Sequence, residues 1–599
     1  MELLQHATAC LRRARRRLLG SEVHVWYDPA YRLPITALES MTRLEPRRAE
    51  WVAWYLVGTG RIARRCMHTP PRVSYRALAR VHTAEYLDSL DRPEALSAIF
   101  GVDPSALPVH SVMTSLRLAC GGTLDAARSA LKRGGASMNL LGGFHHAHPD
   151  RGAGLCPVND IAVALAALRD EGLRGTVAVL DLDAHPPDGL AAFFWNEPRV
   201  WIGSLSGVDW GPLPGVDETV LPEGCDDATY LVALERLLRR MPARPALTFV
   251  IAGGDVLARD HLGMLGLTLA GVRRRDILVA ARLKGLPSVW LPGGGYSADA
   301  WKALAGTGMA IASGSTRPIS NRHHPMDRHF TWISNQLNPQ DLEGGELLTE
   351  ADLEETLGLR RERRSRLLGY YTVEGVEYAL SRFGILDYLR RLGFDAFRVA
   401  IDADYSGDRL RLYGRAAGAE HLLIESLLER MHLDEGGEVL YLHWLTLRNP
   451  TARFSDTRPR LPGQETPGLG LAREAILLLV RMAARLGLNG LAFRPSHAHT
   501  AYPSRHDFVF LNPARQGRFE AMLRDLSGTP LLEITTAMDE GRVRLNGSPY
   551  AWEAELMICW RAPDPDDPTP DPWPTDAPEW REAVAAERER SRFTIAAAG

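Results

Sequence analysis

From Val23 to about Ser315 the chain alternates short apolar runs with longer stretches whose apolar positions recur at helical spacing. SMNLLGG, TVAVLDLD, RVWIGSL, LTFVIAGGD and PSVWLPGGG are rich in aliphatic residues, and most stop at glycine or a polar cluster, so they read as buried strands. GGTLDAARSALKRG, DIAVALAALRDEG and DATYLVALERLLRRM read as helices between them. Strands alternating with helices predict an α/β fold, a mostly parallel sheet sandwiched by helices. Ligands of such sheets bind beyond the carboxyl ends of the strands, and the polar clusters here lie at those ends.

The pattern then changes. Residues 316–350 have weak periodicity and read as a connector, with His323 and His324 as a solvated loop pair. Residues 351–560 begin with an arginine-rich helix and continue with DRLRLYG, EVLYLHWLTL and a long helix after Gly470, which predicts a second mixed α/β or α+β domain. Residues 561–599 are rich in proline and aspartate and are expected to be an extended tail. Residues 1–22 carry five arginines between positions 12 and 17 without an apolar core, so they read as a basic capping helix or frayed end and not as a secretory signal.

Composition narrows the class. A chain of 599 residues exceeds one core. With 45% hydrophobic and 24% charged residues it is an ordinary globular protein, and a net charge of −3 gives no basic field for nucleic acid. The six cysteines, Cys10, Cys66, Cys120, Cys156, Cys225 and Cys559, form no CxxC pair, and a reducing cytoplasm is the expected setting. No stretch of about 18 uninterrupted apolar residues predicts a membrane span.

The chemistry concentrates in four glycine-flanked clusters. Thr176 to Gly189, TVAVLDLDAHPPDG, runs from a buried strand into two carboxylates and an imidazole, and side-chain alternation puts Asp181, Asp183 and His185 on one face. Such a cluster is costly to bury unless paired or bound to a cation, and Asp-x-His at a strand end is a divalent-metal half-site. GGFHHAHPDRGAGLCPVNDIA offers His145 and His146, which reach one site only if the chain turns around flanking glycines. IAGGDVLARDHLG carries Asp255 and Asp260, and LPGGGYSADAW leads to Tyr296.

These motifs, with VHTAEYL at 81–87, resemble the zinc-dependent histone deacetylases and acetylpolyamine amidohydrolases of the arginase/deacetylase fold over about residues 23–312. RGAGLC, ARDHLGMLGLTLAG and YDPAY look most like the class IV branch. The resemblance implies that Asp183, His185 and Asp260 ligate zinc, with iron as the other metal to consider, and that Asp255 stands aside. It implies that His145 and His146 act as general base and acid, oriented by Asp181 and Asp188, and that Tyr296 donates to the oxyanion. Gly154, Leu155, Leu267 and Gly294 are expected to line the substrate tunnel, and Asp181, Ser204 and Leu205 to hold a structural potassium ion. Cys156 matches a cysteine near the family's site, though a small buried thiol explains it equally well.

Two departures stand out. Pro186 and Pro187 follow His185 where the family has glycine two residues on, which is expected to move Asp188 relative to His146. Leu155 replaces an aromatic tunnel wall. The arginase branch needs a further carboxylate at the position of Pro187, so a single metal and amide hydrolysis are favoured over guanidine hydrolysis.

In the second region, GQETPGLGLAREA reads as a turn and helix start, with a short likeness to the acyl-coenzyme A loop of GNAT acetyltransferases as the alternative. FRPSHAHTAYPSRH, with His497, His499 and His506, reads as a polar surface strand, with metal ligation by the H-x-H as the alternative. The function expected is a metal-dependent deacylase acting on an acylated lysine, polyamine or small amine. The alternatives are a catalytically weak binding protein and a bifunctional enzyme that also transfers acyl groups.

Overall fold

A computed structural model describes residues 23–597 except 43, 59, 316–318, 320–324, 344–365, 435–436, 456–458, 506 and 561–572. The basic segment 1–22, His323 and His324, the arginine-rich stretch after 351 and His506 therefore lie outside the described residues. The chain divides into two compact units between Met326 and Asp327.

The first unit is built on eight strands: β1 (His24–Trp26), β2 (Met67–His68), β3 (Ala136–Asn139), β4 (Val177–Asp181), β5 (Val200–Ser206), β6 (Val216–Val220), β7 (Leu247–Ile251) and β8 (Ser288–Leu291). Their order is β2-β1-β3-β8-β7-β4-β5-β6, and every pair is parallel. The five strands read from the sequence are β3, β4, β5, β7 and β8. β4, β7 and β8 are buried along their whole length, which is why they read as continuous apolar runs. The short β1 and β2 and the partly exposed β6 lack that signature.

Helices α1 (Val109–Arg133), α2 (Asp160–Asp170), α3 (Asp188–Phe194), α4 (Asp227–Arg240), α5 (Leu269–Arg282) and α6 (Ala300–Ser313) flank this sheet. Asn159, Asp226 and Thr268 start α2, α4 and α5, their side chains accepting from backbone N–H groups of the first turn. The core joins Ile161, Leu165 and Leu168 of α2 to Val177, Val179, Phe249, Ile251 and Val289 of the strands. That rigid layer fixes the strand ends from which the polar residues emerge.

The second unit holds a seven-stranded sheet ordered β14-β17-β13-β12-β11-β10-β9. Its strands are β9 (Asp395–Asp404), β10 (Gly407–Ala416), β11 (Ala419–Leu433), β12 (Gly437–Leu447), β13 (Gly490–Phe493), β14 (Val509–Phe510) and β17 (Met557–Trp560). All neighbours are antiparallel except β12 and β13. A small sheet joins β15 (Val543–Leu545) to β16 (Ser548–Pro549) and β18 (Phe593–Ile595). Its helices include α7 (Pro325–Ser334), α8 (Pro339–Glu343), α9 (Val373–Arg382), α10 (Ile385–Arg391), α11 (Ala472–Arg485), α12 (Pro513–Asp525) and α13 (Pro578–Arg590).

Three expectations change here. The connector contains α7 and α8, with Phe330, Ile333, Leu337 and Leu342 buried. The proline-rich tail ends in α13, which packs on α12, and in β18, which pairs with β15. Its apolar positions Val584 and Phe593 find partners that composition does not reveal. The stretch around His497 and His499 is a short helix, Ala498–Ala501, capped by His497, and not a surface strand. Among the described residues, no helix is long and apolar enough to cross a membrane.

Candidate active site

β4 ends at Asp181, and the chain then turns so that Asp183 and His185 meet Asp255, which follows β7. The Nδ1 atom of His185 lies 3.1 Å from Oδ1 of Asp183 and 3.1 Å from Oδ2 of Asp255. Donor atoms of these three residues fall within 4.8 Å of one another. Asp183 is further held by the N–H of Gly294, 2.6 Å from Oδ2, and Asp255 by the N–H of Ala184, 3.1 Å from Oδ1. Behind them the buried Arg275 donates to the carbonyls of Gly253 and Leu182, tying the ends of β7 and β4 together.

The donor set fits a divalent cation. His185 Nε2 lies 3.2 Å from the carbonyl of Leu262, so its proton is used there and a neutral ring turns the Nδ1 lone pair toward two carboxylates. Lone pair and carboxylates repel unless a positive charge lies between them. In the bare protein a proton takes that place: burial opposes it, but Asp183 and Asp255 raise the imidazole pKa to about 11. Asp255, pushed up by burial and by Asp183 to about 8, shows how poorly the two carboxylates tolerate each other without a cation.

The carboxylate grouped with Asp183 and His185 in this structure is that of Asp255, where the resemblance implied Asp260. Asp260 is not in the cluster. Its Oδ1 accepts from the N–H of Leu262 and Gly263, and its Oδ2 from the N–H of Tyr296 at 2.6 Å. Four residues of loop separate the two aspartates, and Asp255, the nearer to the end of β7, is the one that faces Asp183.

Two imidazoles stand beside the triad, their ring centroids 4.0 Å apart. His145 Nδ1 lies 2.7 Å from Oδ2 of Asp181, and His146 Nδ1 lies 2.6 Å from Oδ1 of Asp188. Each ring therefore keeps Nε2 for other partners. Burial lowers the pKa of His145, but Asp181 and Asp183 outweigh it and hold it at about 9. Burial and the neighbouring His145 lower that of His146. The two rings are thus shifted in opposite directions.

The turn presenting both rings is held by Asp160, whose buried carboxylate accepts from the N–H of Gly143 and Phe144 and from the Thr123 hydroxyl. Asn139 donates to Thr123 Oγ1 and accepts from the Tyr31 hydroxyl, extending the network to the YDPAY segment. Pro186 and Pro187 do not displace Asp188. Pro187 precedes the first residue of α3, where no intrahelical N–H bond is lost, and Asp188 begins that helix in reach of His146. Asp188 also pairs through Oδ2 with His148 Nε2 at 3.0 Å, a partner that sequence spacing did not suggest.

Tyr296 follows Gly293, Gly294 and Gly295, and its N–H is fixed by Asp260. Arg48, from a short helix more than two hundred residues earlier, donates to the carbonyls of Gly295 and Gly293 at 3.1 and 3.0 Å. Nothing local in the sequence singles it out. Among the expected tunnel residues, Gly154 (φ +50°) packs so closely under the His146 ring that a β-carbon would collide with it. Leu155 adopts φ 64°, a conformation costly for a branched residue. Gly294 is the N–H donor to Asp183. Leu267 is buried, bridged to Leu257, while Leu262 and Met264 are the exposed apolar residues of that loop. Trp210 is half exposed, its ring 5.4 Å from that of His146. The Cys156 thiol is buried and donates to the carbonyl of Gly154, and burial raises its pKa.

Asp181 and Ser204 are register partners on β4 and β5, with Leu205 next along β5. The Ser204 hydroxyl is buried with no hydrogen-bond partner among the described residues.

Comparison with known proteins bears on this arrangement. A model described as the histone deacetylase domain matches residues 42–311. Histone deacetylase 2 of Arabidopsis thaliana is 30% identical over 302 residues, 48% of this chain and 77% of that protein. An uncharacterized protein of Picosynechococcus is 34% identical over 248 residues, 38% of this chain and 78% of that protein. The crystal structure of an HDAC homolog from Aquifex aeolicus aligns over 51% of this chain and 88% of its own at 21% identity, with a TM-score of 0.43.

Proposed function

Since this chain belongs to the histone deacetylase family, we propose that its first unit removes an acyl group from an acylated lysine, polyamine or small amine by metal-dependent amide hydrolysis. The observation that carries this reading is the convergence of Asp183, His185 and Asp255 beside two carboxylate-oriented imidazoles. Asp183, His185 and Asp255 would hold the metal, zinc or iron. A cation so held acts as a Lewis acid toward the amide carbonyl and lowers the pKa of water.

The protein's own residues supply the rest. The expected parts of the two imidazoles are exchanged in this reading: His146, whose pKa burial and His145 lower, accepts the proton of the attacking water, and Asp188 stabilises the imidazolium that results. His145, protonated through Asp181, gives a proton to the departing amine nitrogen. The Tyr296 hydroxyl donates to the carbonyl oxygen as negative charge grows on it. Gly154 lets the acyl-bearing side chain approach the His146 ring, and Trp210 stands beside that ring. The orphaned Ser204 hydroxyl beside Asp181 supports a second, structural cation such as potassium. A cytoplasmic setting agrees with the cysteine pattern.

The test is turnover of a panel of acyl-lysine peptides and acylpolyamines by zinc- or iron-loaded full-length protein. Release of free amine, abolished by a chelator and restored by metal, is expected. A metal-loaded protein inert on every acyl amide would overturn the hydrolase reading in favour of a binding role.

A further inference from the structure

Each of the two site imidazoles leans on a carboxylate, but the two carboxylates are held in different ways. Asp181 is fully buried: its Oδ2 takes His145 Nδ1 at 2.7 Å, and its Oδ1 accepts the backbone N–H of Asp183 at 3.1 Å. Main chain therefore fixes the plane of that carboxylate. Asp188 has no such backbone donor among the described residues. Its side chain is 24% exposed, and both of its hydrogen bonds come from rings, His146 Nδ1 at 2.6 Å from Oδ1 and His148 Nε2 at 3.0 Å from Oδ2. The terminal torsion of an aspartate is broad, so nothing in Asp188 itself keeps Oδ1 turned toward His146, and water competes for an oxygen left bare.

His148 supplies what the main chain does not. Burial opposes ionisation of Asp188, but His146 and His148 outweigh it and hold its pKa at about 2, so the carboxylate is an acceptor only and both rings donate to it. Arg151 Nη2, itself a donor, lies 3.3 Å from His148 Nε2, so the proton on that nitrogen has Asp188 as its acceptor. The His148 ring is anchored through its own backbone. Its N–H donates to the carbonyl of Arg151 at 2.9 Å, and its carbonyl accepts from Nδ1 of the buried His82 at 3.0 Å.

We propose that His148 is a positioning residue for the hydrolysis described above: by occupying Oδ2 it keeps Oδ1 of Asp188 on His146 Nδ1, and so keeps His146 Nε2 free and aimed for the proton it receives. The working unit on this side of the site is then a chain of three, His146, Asp188 and His148. This inference rests on the hydrolase reading of the same site.

Full-length, zinc-loaded protein is assayed on the acyl amide that the wild type turns over fastest. His148→Phe, a ring of similar size without a donor, is expected to lower kcat by roughly 10- to 100-fold while KM, metal content and cooperative thermal unfolding stay unchanged. His148→Gln, whose amide N–H can donate to the same carboxylate, is expected to recover most of the loss. Asp188→Ala removes the group through which His148 acts, so adding His148→Phe to it is expected to cost little further. A residue that only supported the fold would lower stability, add its cost in full to that of Asp188→Ala and gain nothing from glutamine. His148→Ala replaces the phenylalanine variant should that one fail to fold. A folded His148→Phe or His148→Ala protein with wild-type kcat, or full additivity with Asp188→Ala, would overturn the part given to His148 and leave hydrolysis standing. A wild type inert on every acyl amide would overturn both.

Discussion

The Nε2 atom of His185 and the carbonyl oxygen of Leu262 lie 3.2 Å apart, and this contact decides what the other edge of the ring can do. With Nε2 committed as a donor, Nδ1 is left to join Asp183 and Asp255 in the metal site proposed above. Asp255→Asn is therefore expected to lower metal affinity by on the order of 10²-fold or more. Asp260→Asn is expected to leave the metal content after gel filtration unchanged. Metal analysis of both variants decides between the aspartates, and retention by Asp255→Asn with loss by Asp260→Asn would reverse the assignment.

Asp260 holds the tyrosine turn instead: its Oδ2 accepts from the N–H of Tyr296, the residue proposed as oxyanion donor, at 2.6 Å. Tyr296→Phe is expected to lower kcat by about 10²- to 10³-fold with KM little changed. Asp260→Ala is expected to lower kcat as well, by freeing the tyrosine loop, in protein that still carries its metal. Steady-state kinetics on metal-matched samples measure both effects.

His82 is a neutral structural histidine. Its Nδ1 lies 3.0 Å from the carbonyl of His148, and its Nε2 accepts from the N–H of Asn159 at 3.1 Å. Burial lowers its pKa to about 4, against an ordinary value of 6.5. Protonation therefore favours the unfolded chain: stability is full above pH 6.5 and falls as pH drops toward 4. The expected loss is about 3 kcal/mol once both states are protonated. Denaturant unfolding of wild type and His82→Gln across this window should show the dependence shrinking in the variant.

Arg48 ties the Gly293–Gly295 turn to a distant helix through two carbonyls. Hydrogen bonds from a charged donor contribute about 1.5–3 kcal/mol each, so losing both in Arg48→Ala is expected to destabilise the protein by about 3–6 kcal/mol and to lower kcat through Tyr296. Arg48→Lys is expected to recover only part of either, because an ammonium group cannot span both carbonyls as the planar fork does. Chemical denaturation and kinetics report the two readouts.

Much of the first unit is legible along the chain. β4, β7 and β8 are buried on both faces and so appear as unbroken aliphatic runs, and their polar ends mark where a site must form. Asp181, Asp183, His185, His145 and His146 could be picked out because carboxylates and imidazoles beside such strands have no cheap alternative to pairing or binding a cation. β1, β2 and β6 were not legible, being short or half-exposed, and neither were α7, α8, α13 and β18, whose apolar residues are too few to show a period.

Sequence alone thus determined the α/β architecture and the chemical types gathered at its strand ends, because burial periodicity and the cost of isolated charge are local properties. Tertiary structure alone decided which aspartate faces His185, that Pro186 and Pro187 leave Asp188 in reach of His146, and that Arg48, His82 and His148 belong to the site's support. Each of these depends on where a loop turns or on a partner tens to hundreds of residues away, and no spacing along a chain encodes the direction in which a carboxylate points.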